Sequence, residues 1–311
     1  EFISPENDYT EDLDIFGMGS LFQYLNRTTT SSGKEKLANW RSKQKLDSSQ
    51  RLQKQKAVQE LAKKPEWRQN LQLIGKNTNE KKQDIIDILK WLDEAPLIKQ
   101  AWFKYFIAFI NSITFGLLAL SIFNIIPPVI FILHIIIVPF WIIGKYFKKI
   151  NVIHAQLGKK TDLFEKYSSI IKLIEKEDFK SEYLQNLKQK SDIIDDKASL
   201  IIKKLSKISS AFNQRLNMIA GVLLNLFLLW DLVQSLRLEN WKQKHKKQLI
   251  KWFAVMAEFD ALSSLGCFYF NNPNFQFPKM RDDKFFIHTS ELGHPLIHEN
   301  QRINNDVEIS N

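Results

Sequence analysis

The sequence predicts a mainly α protein, built of long antiparallel helices that carry a transmembrane helical hairpin and ending in the first strand or strands of a C-terminal α/β domain. Three observations predict it. Residues 105–144 contain no Asp, Glu, Lys or Arg, in a 311-residue chain that is 25% charged overall. No proline lies between Pro139 and Pro273, and glycine occurs there only at 144, 158, 221 and 266, so helices can run long. From Asn271-Asn272-Pro273 onward, turn and strand signals replace helical spacing.

Taken in order, residues 1–19 are acidic and irregular. Ser20–Asn26 predicts a short helix, and Thr28–Ser32 a polar turn. Ser32 with Glu35 has the capping-box pattern and opens a helix through Leu37 and Trp40. Gln50–Leu61 predicts a helix stopped by Lys63-Lys64-Pro65. Pro65 then opens the helix of Trp67 and Leu71, and Asn79–Leu92 predicts another.

The uncharged run divides at Pro127-Pro128. Tyr105–Ile126 would be about 33 Å long as a helix and Pro128–Gly144 about 25 Å, against a hydrocarbon core of about 30 Å. A hairpin buried in a soluble core would need a polar face that this run lacks. Lys99 and Lys104 precede the run; Lys145, Lys148 and Lys149 follow it. Basic flanks stay in the cytoplasm and two spans return the chain to one side, so both hydrophilic parts are expected there. Pro139 is expected to kink the second helix. His134, the one histidine of the run, is expected at the interface near the far end. A third apolar run, Leu216–Trp230, has the length of a buried core helix; a span there would place one of two basic clusters outside.

Leu163, Tyr167, Ile170, Ile171 and Ile174 fall on one helical face. Glu182–Ser210 predicts one long amphipathic helix with Leu184, Leu187, Ile194, Ile201, Leu205 and Ile208. Near the end, Phe275-x-Phe277-Pro278 is extended, Lys284–Thr289 predicts a strand, and Gly293-His294-Pro295 a turn.

Net charge is +10, which suits anionic lipid or nucleic acid. The basic runs Lys203–Lys207 and Lys242–Lys247 are candidate phosphate contacts or solvated faces. The single cysteine, Cys267, excludes an intrachain disulfide; its apolar helix end predicts a core residue. The histidines 288, 294 and 298 with Glu291 lack metal-site spacing. No Gly-Lys pair completes G-x-x-x-x-G-K-[ST], and no catalytic constellation stands out.

Two segments resemble the MutS family of DNA mismatch-repair ATPases. The first is Asp12–Trp40, with Leu21, Leu25, Asn26, Arg27, Thr28, Thr30, Gly33, Leu37 and Trp40 matching that family's short helix, N-R-T-x-T-x-x-G turn and following helix. Gln55-Lys56-Ala57-Val58 to Leu61 is similar to its R-x-x-A-V-x-x-L helix. The second is Ala257–Asp306. Glu258, Asp260, Leu262, Leu265, Asn272, Phe275 and Pro278 are similar to the return helix leading into the ATPase domain. Glu291–Ile297 resembles the R-H-P opening of that domain, with Gly293 where Arg is common, and Arg302–Asp306 its N-D segment.

The resemblance implies a division into 1–104, the N-terminal half of a MutS-like core; 105–149, the hairpin; 150–250, a lever-like helical region; 251–283, the return helix and linker; and 284–311, the start of an ATPase domain cut before its phosphate-binding loop. It implies that Leu21–Trp40 and Ala257–Phe268 pack together as a hub, and that Arg302, Ile303, Asn304 and Asn305 border an adenine. ATP and Mg2+ in the full-length protein, double-stranded DNA, the lipid bilayer and a homodimer formed through the ATPase domain are the implied ligands and partners. The bacterial inner membrane, with hydrophilic parts cytoplasmic, is the implied location. No catalytic or metal-binding residue is assigned. A membrane-anchored helical scaffold or receptor arm with MutS-like architecture and no DNA binding is the second reading.

Overall fold

The computed structural model describes residues 15–42, 47–96, 102–190, 197–279 and 286–310. Twelve α-helices and one two-stranded antiparallel sheet occur among them. The helices are α1 Leu21–Leu25, α2 Ser31–Ser42, α3 Ser48–Ala62, α4 Pro65–Lys76, α5 Lys82–Asp93, α6 Phe103–Ile122, α7 Pro128–Leu157, α8 Thr161–Lys176, α9 Glu182–Lys190, α10 Lys197–Phe212, α11 Met218–Leu228 and α12 Trp230–Asn271. Strand β1 is Phe286–Leu292 and β2 is Asn305–Ser310. The start of the expected Lys284–Thr289 strand, the Ile194 position and residues 1–14 lie outside the described residues.

The chain forms two compact units. One comprises 1–73, 178–187 and 255–311; the other comprises 74–177 and 188–254. The long helix α12 contributes to the second through Ala254 and to the first from Val255.

The second unit contains the hairpin. Helix α6 has 20 residues, about 30 Å, which matches the hydrocarbon thickness. The rings of Phe103 and Tyr146 meet at 5.5 Å, and Thr114 faces His134 at 3.0 Å, so α6 and α7 run antiparallel. Among the described residues three helices are long and apolar enough to cross a membrane, but their burial separates them. The most apolar stretches of α6 and α7 are 11% and 17% buried, whereas that of α12 is 67% buried. The apolar surface of α12 is therefore covered by protein, and that of the hairpin is not.

Two expectations are corrected here. Helix α7 does not stop at Gly144 but continues through Lys145, Lys148 and Lys149 to Leu157, burying Ile150, Ile153 and Leu157. These apolar residues beyond the basic cluster give the helix a reason to continue. Within the hairpin, His134 lies against α6. Its Nε2 meets Thr114 Oγ1, whose hydroxyl is also 3.0 Å from the Ile110 carbonyl. Leu216–Trp230 is not a core helix: in α11 only Gly221 is buried, and Met218, Ile219, Val222 and Leu223 are exposed.

Beside the hairpin, α8 buries the face its spacing predicts, with Leu163, Tyr167, Ile170, Ile171 and Ile174 all at most 4% exposed. Each such side chain contributes roughly 1.5–3 kcal/mol. Helix α8 pairs with α10 through Ser168 Oγ donating to the Ser199 carbonyl at 2.8 Å and the Ser199 amide donating to Glu175 at 3.0 Å. Lys166 and Glu80, 1% and 2% exposed, form an ion pair at 3.0 Å. Burial pushes the Tyr167 phenol well above its ordinary range, and the negative charge of Glu80 adds to that.

Candidate functional site

The two segments that carry the family resemblance meet in the first unit. The Asn26–Gly33 turn is built by its own side chains first. Asn26 Oδ1 accepts from the Thr28 amide at 3.1 Å and from its hydroxyl at 2.6 Å, an Asx turn that folds the chain back. Thr30 is then the cap of α2: its Oγ1 accepts from the Gly33 amide at 3.0 Å. The cap is thus Thr30, two residues before the Ser32 that the sequence pattern indicates.

Helix α12 clasps this turn from 230 residues away. The Asp260 carboxylate, 1% exposed, accepts from the Thr29 amide at 3.0 Å, the Thr30 amide at 2.8 Å and the Thr30 hydroxyl at 2.7 Å. Its negative charge also sits at the N-terminus of α2, where the helix dipole favours it. One turn on, Ser264 Oγ accepts from the Arg27 amide at 2.7 Å and donates to the Leu25 carbonyl at 2.6 Å. Gly33 is required by close approach: a Cβ there would overlap the Asp260 carboxylate. Beneath the clasp, Phe22, Leu37, Ala38 and Ala261 form an apolar cluster with Phe16, Trp40 and Leu265 at its edge.

Glu258, two residues before Asp260 on α12, ties in two further helices besides α2. It pairs with Lys36 at 2.9 Å and Lys54 at 3.3 Å, and accepts from the Tyr183 hydroxyl. Burial pushes the Tyr183 phenol up, reinforced by the Glu258 charge. Burial also holds the Lys54 ammonium below its usual range, against the opposing pull of Glu258. Lys54 lies 4.2 Å over the Trp40 ring. Nothing in the sequence flags Glu258 as a junction beyond its place in the resemblance, because its partners lie on α2, α3 and α9.

The strand-containing end lies next to this hub within the same unit. Strands β1 and β2 pair antiparallel from Phe286↔Ser310 to Thr289↔Val307, with an irregularity before Leu292↔Asn305. Glu291 takes a positive φ of 55° there, and its amide donates to Asp306 Oδ1 at 2.8 Å. Of the four residues expected to border an adenine, one lines a cleft. Arg302 lies with Tyr24, Phe275, Pro295, Ile297 and His298 around a cavity of about 330 Å³. The Arg302 guanidinium stands 5.2 Å over the Phe275 ring, which meets Phe268 at 5.7 Å, which in turn meets Tyr24 at 5.8 Å. Asn304 supports Arg302 by accepting from its Nε at 3.1 Å. Ile303 is 82% exposed, and Asn305 begins β2. A Cβ at Gly293 would overlap the side chains of Arg302 and Asn304, so arginine at 302 leaves no room for a side chain at 293.

The cleft presents two aromatic rings, Tyr24 and Phe275, and one guanidinium that stands over Phe275. The same residues supply no cradle for phosphates. Among the described residues no group of three or more His, Cys, Asp or Glu converges. His294 and His298 instead brace their own turn, each Nδ1 facing the amide two residues on at 3.4 and 3.3 Å.

The basic clusters divide. Lys242 is buried, donating to Glu239 at 3.0 Å and to the Trp91 and Glu94 carbonyls, where it caps the end of α5. Lys246 pairs with Asp93 at 2.8 Å. Lys203, Lys204 and Lys207 lie exposed on α10. Cys267 is half-buried near the end of α12, 3.6 Å from Asn271 Nδ2. Comparison with family models, curated proteins and solved structures finds no match to this chain.

Proposed function

We propose that this chain is the core and lever part of a membrane-anchored MutS-like ATPase, coupling ATP binding to DNA or another partner. One observation carries the reading. Two segments chosen for their separate resemblance to that family, with residues 231 apart in sequence, join through Asp260 and the Thr29-Thr30 turn. A chance likeness in two places has no reason to produce one buried, fully hydrogen-bonded joint. The motif's own residues (Asn26, Thr28, Thr30 and Gly33) each have a distinct role in it.

In this reading the hairpin holds the protein in a bilayer, the bacterial inner membrane, with the hydrophilic parts cytoplasmic. Helix α12 passes unbroken from the hairpin's unit into the hub, so the two share one element of secondary structure. ATP, with Mg2+, supplies the free energy for a conformational cycle when hydrolysed. Phe275 and Arg302 would hold its base, while phosphate binding and dimerisation would fall to residues outside Glu1–Asn311. The intact protein is expected to bind a fluorescent adenine nucleotide, and Arg302→Ala to weaken that binding about 5-fold, near 1 kcal/mol, by loss of the cation over the base. An intact protein that takes up no adenine nucleotide ends this reading.

A second reading, a membrane scaffold without DNA binding, is favoured by the fate of Lys242 and Lys246. Lys242 is buried against Glu239 and so removed from any phosphate-facing surface, and Lys246 forms an exposed ion pair with Asp93.

A further inference from the structure

Helix α11 has no charged residue from Leu216 to Trp230, yet it is not part of a core. At 11 residues it is about 16 Å long, half of what a span requires. The helices on either side of it run antiparallel. Trp230 Nε1 donates to the Ala211 carbonyl at 2.9 Å, and Trp241 Nε1 to the Ile201 carbonyl at 3.0 Å. The chain therefore leaves α11 on the side where it arrived, and Arg215 and Asp231 pair at 3.2 Å across its two ends.

One face of α11 lies on the hairpin. Phe227 sits between Phe115 of α6 and Phe131 of α7, at 6.3 and 6.4 Å. The opposite face, Met218, Ile219, Val222 and Leu223 at helical spacing, is exposed among the described residues and continues the exposed apolar surface of α6 and α7. Protein groups meet backbone groups at both ends of α11. Asn217 Oδ1 accepts from the Ala220 amide at 3.0 Å, Asn111 of α6 donates to the Leu228 carbonyl at 3.1 Å, and Asn225 Oδ1 accepts from the Asp231 amide at 2.9 Å.

We propose that Met218–Leu228 is a third membrane-embedded segment, a re-entrant helix that dips into the bilayer beside the hairpin and returns on the same side. Its free face is occupied by lipid acyl chains. The proposal rests on the reading of α6 and α7 as membrane spans. It makes the membrane unit a three-helix body, and it places the first turn of α12, at Trp230, at the bilayer.

The test uses the intact protein in proteoliposomes with C267S as background. An environment-sensitive fluorophore is placed at Leu223→Cys, at Ile132→Cys in the hairpin and at Lys207→Cys on α10. Met218→Cys, on the same face, repeats the measurement should labelling at 223 disturb the fold. Nitroxide-labelled lipid should quench the 223 label about as strongly as the 132 label. Aqueous iodide should quench it several-fold less than the 207 label. Strong iodide quenching without lipid quenching at both 223 and 218, with 132 still quenched by lipid, overturns the proposal alone. Protection from both quenchers also overturns it, because protein then covers the face. Loss of lipid quenching at 132 as well removes the membrane reading itself.

Discussion

Replacing Asp260 by alanine is expected to cost about 3–5 kcal/mol in the stability of the hub. The carboxylate is 1% exposed and accepts from two amides and one hydroxyl of the Thr29-Thr30 turn. Hydrogen bonds to a charged group are worth roughly 1.5–3 kcal/mol each, and donors left buried without an acceptor add their desolvation. The contributions are not additive, which sets the upper bound. Asp260→Asn keeps the shape and one acceptor, and should lose about 1–3 kcal/mol. Thermal unfolding of the intact protein in detergent, with protease cleavage between Leu25 and Trp40 as a local probe, measures both. A double-mutant cycle with Thr30→Val should return a coupling above about 1 kcal/mol. An Asp260→Ala protein within about 0.5 kcal/mol of wild type would mean that the clasp is not what holds the turn.

Replacing Lys166 by methionine should be comparably damaging in the other unit. Lys166 and Glu80 pair at 3.0 Å with side chains 1% and 2% exposed. Removing one partner leaves an uncompensated buried charge, at about 3–5 kcal/mol. The pair as a whole contributes far less, because both charges were desolvated to form it. The double variant Lys166→Met with Glu80→Leu should therefore regain most of the loss. Urea unfolding of the wild type, the single variant and the double variant side by side reads this out. A single variant no worse than the double one contradicts the burial argument.

The hairpin was legible because forty uncharged residues leave few structural options, and the α8 face because five apolar residues share one helical period. The joint of Asn26–Gly33 with Asp260 was legible only through resemblance. No local pattern states that a carboxylate 230 residues away will accept from a threonine turn. Ser32 matched the capping pattern, but Thr30 won the position because its hydroxyl could serve both Gly33 and Asp260. Helix α11 was misread because length alone marks the 15-residue apolar run Leu216–Trp230 as core; its exposure depends on what packs around it. The Arg302–Asn305 run was legible as a segment and not as a set of roles. Which of its side chains faces the cleft is decided by the start of β2 and by the missing Cβ at Gly293.

Duplex DNA binding by the intact protein in detergent, across a salt series with ATP and with ADP, tests the central claim most directly. A membrane-tethered ATPase that handles DNA predicts binding that depends on the nucleotide and falls steeply as salt rises, because neutralised phosphates release counterions. Hydrolysis of ATP with no DNA bound at low salt would contradict it and leave the scaffold reading.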